Sequence, residues 1–173
     1  MQKKHIQQLN ALSLAMGGLM AALVCVATSF FKLPVAVTQG YIHLGDAFVL
    51  VSAAVLGPLG VVAAALGSML ADLLGGYFHY LLPTFVIKGL VALVVYLGHK
   101  GDKPLWAEVL MLIAAELVMV AGYFVAEWLL LGYGLAAAAA AVLPNLVQGA
   151  SGVVIGAVLI PIFKRILKQV KSV

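Results

Sequence analysis

The sequence predicts an all-α integral membrane protein, a single bundle of six spans with both ends in the cytoplasm. Three observations carry that prediction. Of 173 residues, 65% are hydrophobic and 9% are charged, against about 25% charged in a soluble domain. Eight of the ten Lys and Arg residues stand at the two ends and at one central break: Lys3, Lys4, Lys100, Lys103, Lys164, Arg165, Lys168 and Lys171. Cations that flank apolar spans are retained on the cytoplasmic side. The stretches between them divide into lengths that suit a bilayer, about 20 residues per helix.

The net charge of +4 reads as a topology signal and as contact with anionic lipid, not as a nucleic-acid surface. The one cysteine, Cys25, excludes an intrachain disulfide and any multi-cysteine metal site. The length suits one domain over 1–173. The first apolar run is long enough to span, and Phe30-Phe31-Lys32 offers no small-residue cleavage site, so the run is not an ordinary signal peptide.

Span one covers 12–31. A loop over 32–45 follows, with Pro34, Gln39, Gly40, Tyr41 and His43. Between Asp46 and Asp72 lie 25 residues without a charge. Parity decides how many times that stretch crosses. The remaining spans are 82–97, 105–131 and 141–163, which with span one make four. Two cytoplasmic ends require an even total, and Pro58 in Gly57-Pro58-Leu59-Gly60 disfavours a continuous helix. The stretch is therefore a short span over 46–57 followed by another over 59–76. The outer loops are then 32–45, 77–81 and 132–140. Tyr41, Tyr77, Tyr80, Trp128 and Tyr133 fall at the outer boundary and Trp106 near the inner one, as an interfacial aromatic belt requires. The alanine run 136–141 starts span six, and 162–170 continues as an amphipathic cytoplasmic tail.

A charge in hydrocarbon is costly, so each one left in a span is a functional candidate. Span five carries Glu116, Tyr123 and Glu127. Offsets of 7 and 11 residues place them within about 20° of one line on a helix. Glu127 falls near the outer boundary and reads as a ligand contact. Glu116 falls near mid-membrane and reads as a structural or protonated carboxyl. Asn145 and Gln148 share a face of span six. Their carboxamides suit a neutral heterocycle, or bind helix to helix. Thr84 and Lys88 share a face of span four. Lys88 must meet a carboxylate (Asp72, Glu116 or Glu127) or a ligand. Its being the lone intramembrane cation argues against phosphate-bearing ligands. Asp72 anchors Lys88 or caps the following loop, where the His79 and Tyr80 rings could cover a ligand. His43 and Asp46 cluster at the outer end of span two. With His79 they are too loosely spaced for a metal site. Ala15, Gly18, Ala22 and, in a second register, Gly17, Ala21 let another helix approach span one closely. No P-loop, His-Glu-x-x-His or Gly-x-Ser-x-Gly motif occurs, so no cofactor and no ATPase site is expected.

The runs Tyr41-Ile42-His43-Leu44-Gly45-Asp46, Gly57-Pro58-Leu59-Gly60, Ala71-Asp72-Leu73-Leu74-Gly75-Gly76-Tyr77 and Pro83-Thr84-Phe85-Val86-Ile87-Lys88-Gly89 resemble the substrate-binding S components of energy-coupling factor (ECF) transporters. So do the stretch from Glu116 to Glu127 and Asn145-Leu146-Val147-Gln148-Gly149. The branch most similar is that of the hydroxymethylpyrimidine, pyridoxine and riboflavin S components. The resemblance implies a six-helix subunit of the cell membrane, of bacterial type, that captures a vitamin from outside. It also implies delivery through a membrane T component with two ABC ATPases. It implies docking on the T component by Ala15, Gly18 and Ala22, and a pocket near the outer face. That pocket maps onto Tyr41, His43, His79, Tyr80, Thr84, Lys88, Tyr123, Glu127, Asn145 and Gln148. Pyridoxine or hydroxymethylpyrimidine is the expected substrate class, with riboflavin or cobalamin as larger alternatives.

Two other functions compete. A stand-alone proton-coupled transporter could use Asp72, Lys88, Glu116 and Glu127 as a relay, but the halves show no internal repeat. A lipid-modifying enzyme would need a nucleophile beside an acid or base, and only Asp72 with His79 could be proposed for it.

Overall fold

Among the described residues of the computed structural model (11–30, 32–99 and 103–171) the chain forms α1 (Ala11–Phe30), β1 (Leu33–Val35), β2 (Gly40–Ile42), α2 (Asp46–Leu56), α3 (Pro58–Gly75), α4 (Leu81–Gly98), α5 (Leu105–Val125) and α6 (Leu135–Lys171). Lys3, Lys4, Phe31, Lys100 and the side chain of Lys171 lie outside the described residues. Five helical segments are long and apolar enough to cross a membrane: Ala11–Phe30, Pro58–Gly75, Phe78–Gly98, Leu105–Leu130 and Leu135–Val170. The sixth helix, α2, has 11 residues, about 16 Å at 1.5 Å per residue, roughly half the hydrocarbon thickness.

That short helix is the centre of the bundle. Asp46, Ala47, Val49, Leu50, Val51, Ser52 and Ala53 are all buried, so α2 is enclosed on every side, as a helix apolar all round must be. It packs against α1, α3, α4 and α6. Gly57 turns the chain from α2 into α3 with φ of 60°, a conformation open to glycine and strained for most other residues. Pro58 opens α3, where its missing N–H is no loss. The break is therefore made by glycine, and proline only permits it. Ser52 Oγ then donates to the Gly60 carbonyl oxygen at 2.9 Å.

The two small-residue registers of α1 face opposite ways. Gly17, Met20, Val24 and Thr28 are buried, at helical spacing, and α1 packs against α3. There Gly67 lies against the Ala21 carbonyl oxygen, with no room for a Cβ. Ala15, Gly18 and Ala22 are exposed, and a Cβ added to Gly18 would touch nothing.

The expected loop 32–45 contains a β-hairpin, with Leu33 paired to Ile42, Pro34 to Tyr41 and Val35 to Gly40. It caps the end of the bundle where α3 passes through a 3-10 turn (Phe78–Tyr80) into α4. At the same end α5 finishes in a π-helical turn, Ala126–Leu130. The opposite end gathers His99, Glu108 and Lys164, with Glu108 Oε1 3.3 Å from His99 Nδ1 and 3.7 Å from Lys164 Nζ.

α6 departs most from its expected bounds. It begins at Leu135, ahead of 141, and runs 37 residues through Pro144 and Pro161. Alanine is the strongest helix former, so the run 136–141 extends the helix outward. Proline inside a membrane helix is tolerated because neighbouring helices satisfy the freed backbone groups. At about 55 Å the helix exceeds a hydrocarbon core of about 30 Å, so it carries Lys164, Arg165 and Lys168 well beyond the apolar layer. The proposed amphipathic tail is its last turns.

Candidate functional site

Polar side chains from the hairpin and from five of the six helices, all but α2, converge beneath the hairpin. They enclose a cavity of about 30 Å³, room for one or two waters. α1 supplies Thr28; the hairpin supplies Thr38 and Tyr41; α3 supplies Ser68 and Asp72. Tyr80 lines it from the 3-10 turn and Thr84 from the first turn of α4; Tyr123 lines it from the end of α5 and Glu127 from the π-helical turn that follows. His43, Asn145 and Gln148 complete it.

Hydrogen bonds tie the hairpin to the helices. The Tyr41 hydroxyl donates to Asp72 Oδ1 at 2.5 Å, and the Tyr41 ring packs on Tyr77 with centroids 4.5 Å apart. The Tyr80 hydroxyl lies 2.9 Å from both the Thr38 carbonyl oxygen and Glu127 Oε1, so its proton is shared between hairpin and α5. Thr84 Oγ1 and the Tyr123 hydroxyl are 3.0 Å apart. The π-helical turn matters here. One extra residue in the turn re-aims the side chain that follows, and Glu127 lies in it, buried.

His43 is buried. Burial pushes its imidazole pKa down to about 3, so the ring is neutral. Its Nδ1 accepts from the Gly45 N–H at 3.0 Å, and that tight turn leaves no space for a Cβ on Gly45, which abuts Thr28. Burial, reinforced by the Asp72 charge, raises the Tyr41 phenol above its ordinary range. Lys32 stacks over the Tyr41 ring at 4.2 Å and the Tyr77 ring at 5.0 Å. Burial lowers its pKa and the Asp72 charge opposes that shift.

Of the ten expected binding residues, eight meet at this cavity: Tyr41, His43, Tyr80, Thr84, Tyr123, Glu127, Asn145 and Gln148. Two do not. His79 is exposed; its ring rests on Tyr80, centroids 4.8 Å apart, and approaches Tyr133 edge-on at 6.4 Å. A 3-10 turn places successive side chains about 120° apart, so burying Tyr80 sends its neighbour outward. Lys88 is fully buried but forms an ion pair with Asp46 below the cavity. The partner is neither Asp72, Glu116 nor Glu127. Because α2 is central, its first residue reaches the depth of Lys88.

Gln148 links the two layers. Its Oε1 accepts from the His43 main-chain N–H at 2.9 Å, and its Nε2 donates to Asp46 Oδ2 at 2.7 Å. Asp46 is in turn held by Lys88. The amide orientation is thus set by an acceptor on one side and a donor on the other.

Glu116 does not reach the cavity. Its seven-residue offset from Tyr123 amounts to about 10 Å along the helix. It packs against Gly149 and, together with Asp46, against Gly152, and lines a separate apolar groove of about 290 Å³ with Ile113, Leu117 and Val153. Thr28, Thr38 and Ser68 went unforeseen. A single hydroxyl in an apolar helix carries no signal, apart from the helical spacing that aligns Thr28 with Gly17, Met20 and Val24.

Comparison with known proteins places this arrangement. A family model described as "ECF-type riboflavin transporter, S component" matches residues 8–165. An uncharacterized protein from Pyrococcus woesei, described as lying in a gap 3′ region, is 36% identical over 134 residues, covering 77% of this chain and 88% of that one. A solved structure described as the S component of a bacterial ECF transporter superposes with a TM-score of 0.66 at 19% identity, over 92% of this chain and 98% of that one. That likeness concerns the fold. With the family model matching nearly the full length, the chain belongs to the ECF-type riboflavin transporter S components, the substrate-binding membrane subunits of energy-coupling factor transporters.

Proposed function

We propose that the chain captures a small heteroaromatic vitamin, pyridoxine or a hydroxymethylpyrimidine, from outside the cell. It passes the vitamin inward through a membrane T component and two ABC ATPases. The observation that carries this reading is the cavity itself. It sits at one end of the bundle, walled by the Tyr41, Tyr80 and Tyr123 rings and by a few convergent polar groups, the pattern of a site for a small flat ligand. The basic end of α6 lies at the far end of the bundle, which supports cytoplasmic termini and an outward-facing cavity. At about 30 Å³ the cavity admits no vitamin until the hairpin lifts. The bonds from Tyr41 to Asp72 and from Tyr80 to Thr38 are the ones that entry would break.

The exposed stripe of Ala15, Gly18 and Ala22 suits close approach by a helix of the T component. The Asp72, Lys88, Glu116 and Glu127 relay of a stand-alone proton transporter is less well supported, since Lys88 pairs with Asp46 and Glu116 stands apart from the cavity. Riboflavin is the second substrate reading, favoured by the description of the matching family.

The test is uptake. Cells carrying this chain with a T component and two ATPases should accumulate labelled pyridoxine or riboflavin, and cells lacking either partner should not. Uptake by the chain alone, driven by a pH gradient, would overturn the proposal.

A further inference from the structure

The cavity has a chemical bias beyond its size. Five of its buried oxygens make no well-aligned hydrogen bond: Asp72 Oδ2, Glu127 Oε2 and the hydroxyls of Thr28, Thr38 and Ser68, although the Thr38 hydroxyl neighbours the Glu127 carboxyl and the Thr84 hydroxyl that of Asp72. Asp72 and Glu127 are themselves almost wholly buried, at 3% exposure each. A buried polar atom without a partner is costly, and the cost is larger for a carboxylate than for a hydroxyl. Five such atoms around one space mark where a ligand's own polar groups belong.

All five oxygens can accept a hydrogen bond; the three hydroxyls can also donate one, whereas the two carboxylates, when ionised, can only accept. No lysine or arginine lines the cavity. Lys88 is engaged by Asp46. Lys32 donates to the Ala71 carbonyl oxygen at 3.3 Å and stacks on Tyr41 and Tyr77. His43, the remaining basic group in the wall, has its Nδ1 occupied by the Gly45 N–H. Tyr41, Tyr80 and Tyr123 are also in the wall, and the face of an aromatic ring attracts a cation, as Lys32 over the Tyr41 ring and Lys88 over the Tyr123 ring illustrate.

Resting on the reading of this cavity as the vitamin site, we infer that its ligand is a donor-rich heteroaromatic carrying a positive charge. An exocyclic ammonium or a protonated amino-heterocycle would bridge the free oxygens of Asp72 and Glu127. A ligand bearing a carboxylate or phosphate is excluded, because two acidic side chains face it and no cation lies within the wall to receive it. Charge-assisted hydrogen bonds are about twice as strong as neutral ones, so the charge of one substituent decides selectivity within a series of equal size.

Three pyridines that share a ring and differ in one arm read this directly: pyridoxamine (ammonium), pyridoxine (hydroxyl) and 4-pyridoxic acid (carboxylate). Each is titrated calorimetrically into the purified full chain in detergent at neutral pH, with riboflavin alongside. Pyridoxamine should bind about tenfold or more tighter than pyridoxine, and the acid weakest, the ratio expected of one charge-assisted bond. Glu127→Gln and Asp72→Asn should each lower pyridoxamine affinity more than pyridoxine affinity, and so shrink the pyridoxamine advantage. If Asp72→Asn does not fold, Glu127→Gln and the parent rank order carry the test. Equal or tighter binding of the acid overturns the inference, as does a pyridoxamine advantage unchanged in Glu127→Gln. Riboflavin binding without binding of any pyridine overturns it too, and leaves the importer role standing. No binding by any of the four, together with no uptake when the T component and ATPases are present, overturns both.

Discussion

Replacing Lys88 with methionine would leave Asp46 in the protein interior without its ammonium partner. Both side chains are 0% exposed, so water cannot take the place of the lost charge. Gln148 Nε2 would still donate to Asp46 Oδ2 at 2.7 Å, but a neutral amide does not balance a carboxylate. Breaking a buried pair by removing one member costs about 3–5 kcal/mol. Methionine roughly fills the volume of the lysine stem, so little of that is a packing loss. For a chain of this size each kcal/mol moves Tm by about 2–4 °C, which predicts a fall of roughly 10 °C. The double variant Asp46→Asn, Lys88→Met removes both charges and keeps an oxygen for Gln148. It should recover most of the loss, with a coupling of about 2 kcal/mol or more. The assay is thermal unfolding of the four proteins in one detergent at one pH. A single variant within about 2 °C of the parent would refute the reasoning, as would a double variant no more stable than the single one. Vitamin affinity should follow the same cycle, because Lys88 acts through Asp46 on Gln148. If Lys88 touched the ligand itself, the double variant would bind as weakly as Lys88→Met.

Three further outcomes are expected. Tyr80→Phe deletes the hydroxyl that joins Thr38 to Glu127; affinity should fall about tenfold, chiefly through faster ligand release, and an unchanged off-rate would contradict the hairpin's part in retention. Gly18→Leu enlarges an exposed surface where an added Cβ meets nothing; the isolated protein should melt and bind as before while uptake with the T component and ATPases collapses, and normal uptake would move docking away from this stripe. The His43 pKa is depressed to about 3 from 6.5 by burial, so the unfolded chain takes up a proton that the native one refuses. The stability His43 contributes is full above pH 6.5 and is lost as pH falls from there toward 3. Melting temperatures measured from pH 7 to pH 4.5 should fall less steeply in His43→Asn, and identical slopes would show that the imidazole is not enclosed.

Much of the architecture was legible in the chain because lipid imposes a simple rule. A segment without charges and about 20 residues long must be a helix with its backbone satisfied internally. Parity of the ends together with Pro58 placed a break between α2 and α3 at Gly57-Pro58, and the polar line on α5 pointed to Tyr123 and Glu127. The rule failed where the membrane is no longer the solvent. The β1–β2 hairpin lies in the first loop, and its strands of three residues each carry too few side chains for an alternation to be seen. α6 passed through Pro144 and Pro161 because tertiary neighbours tolerate what an isolated helix would not.

By itself, then, the sequence determined that this is a helical membrane bundle and which polar residues are scarce enough to matter. Only the tertiary structure decided which of those residues meet. Periodicity gives the direction of a side chain around its own helix, but not the depth at which another helix crosses it. Lys88 therefore found Asp46, 42 positions earlier, through the central placement of α2. His79 was turned out of the site by one step of a 3-10 turn. The free oxygens of Asp72 and Glu127 were brought to face one cavity by contacts that no local pattern encodes.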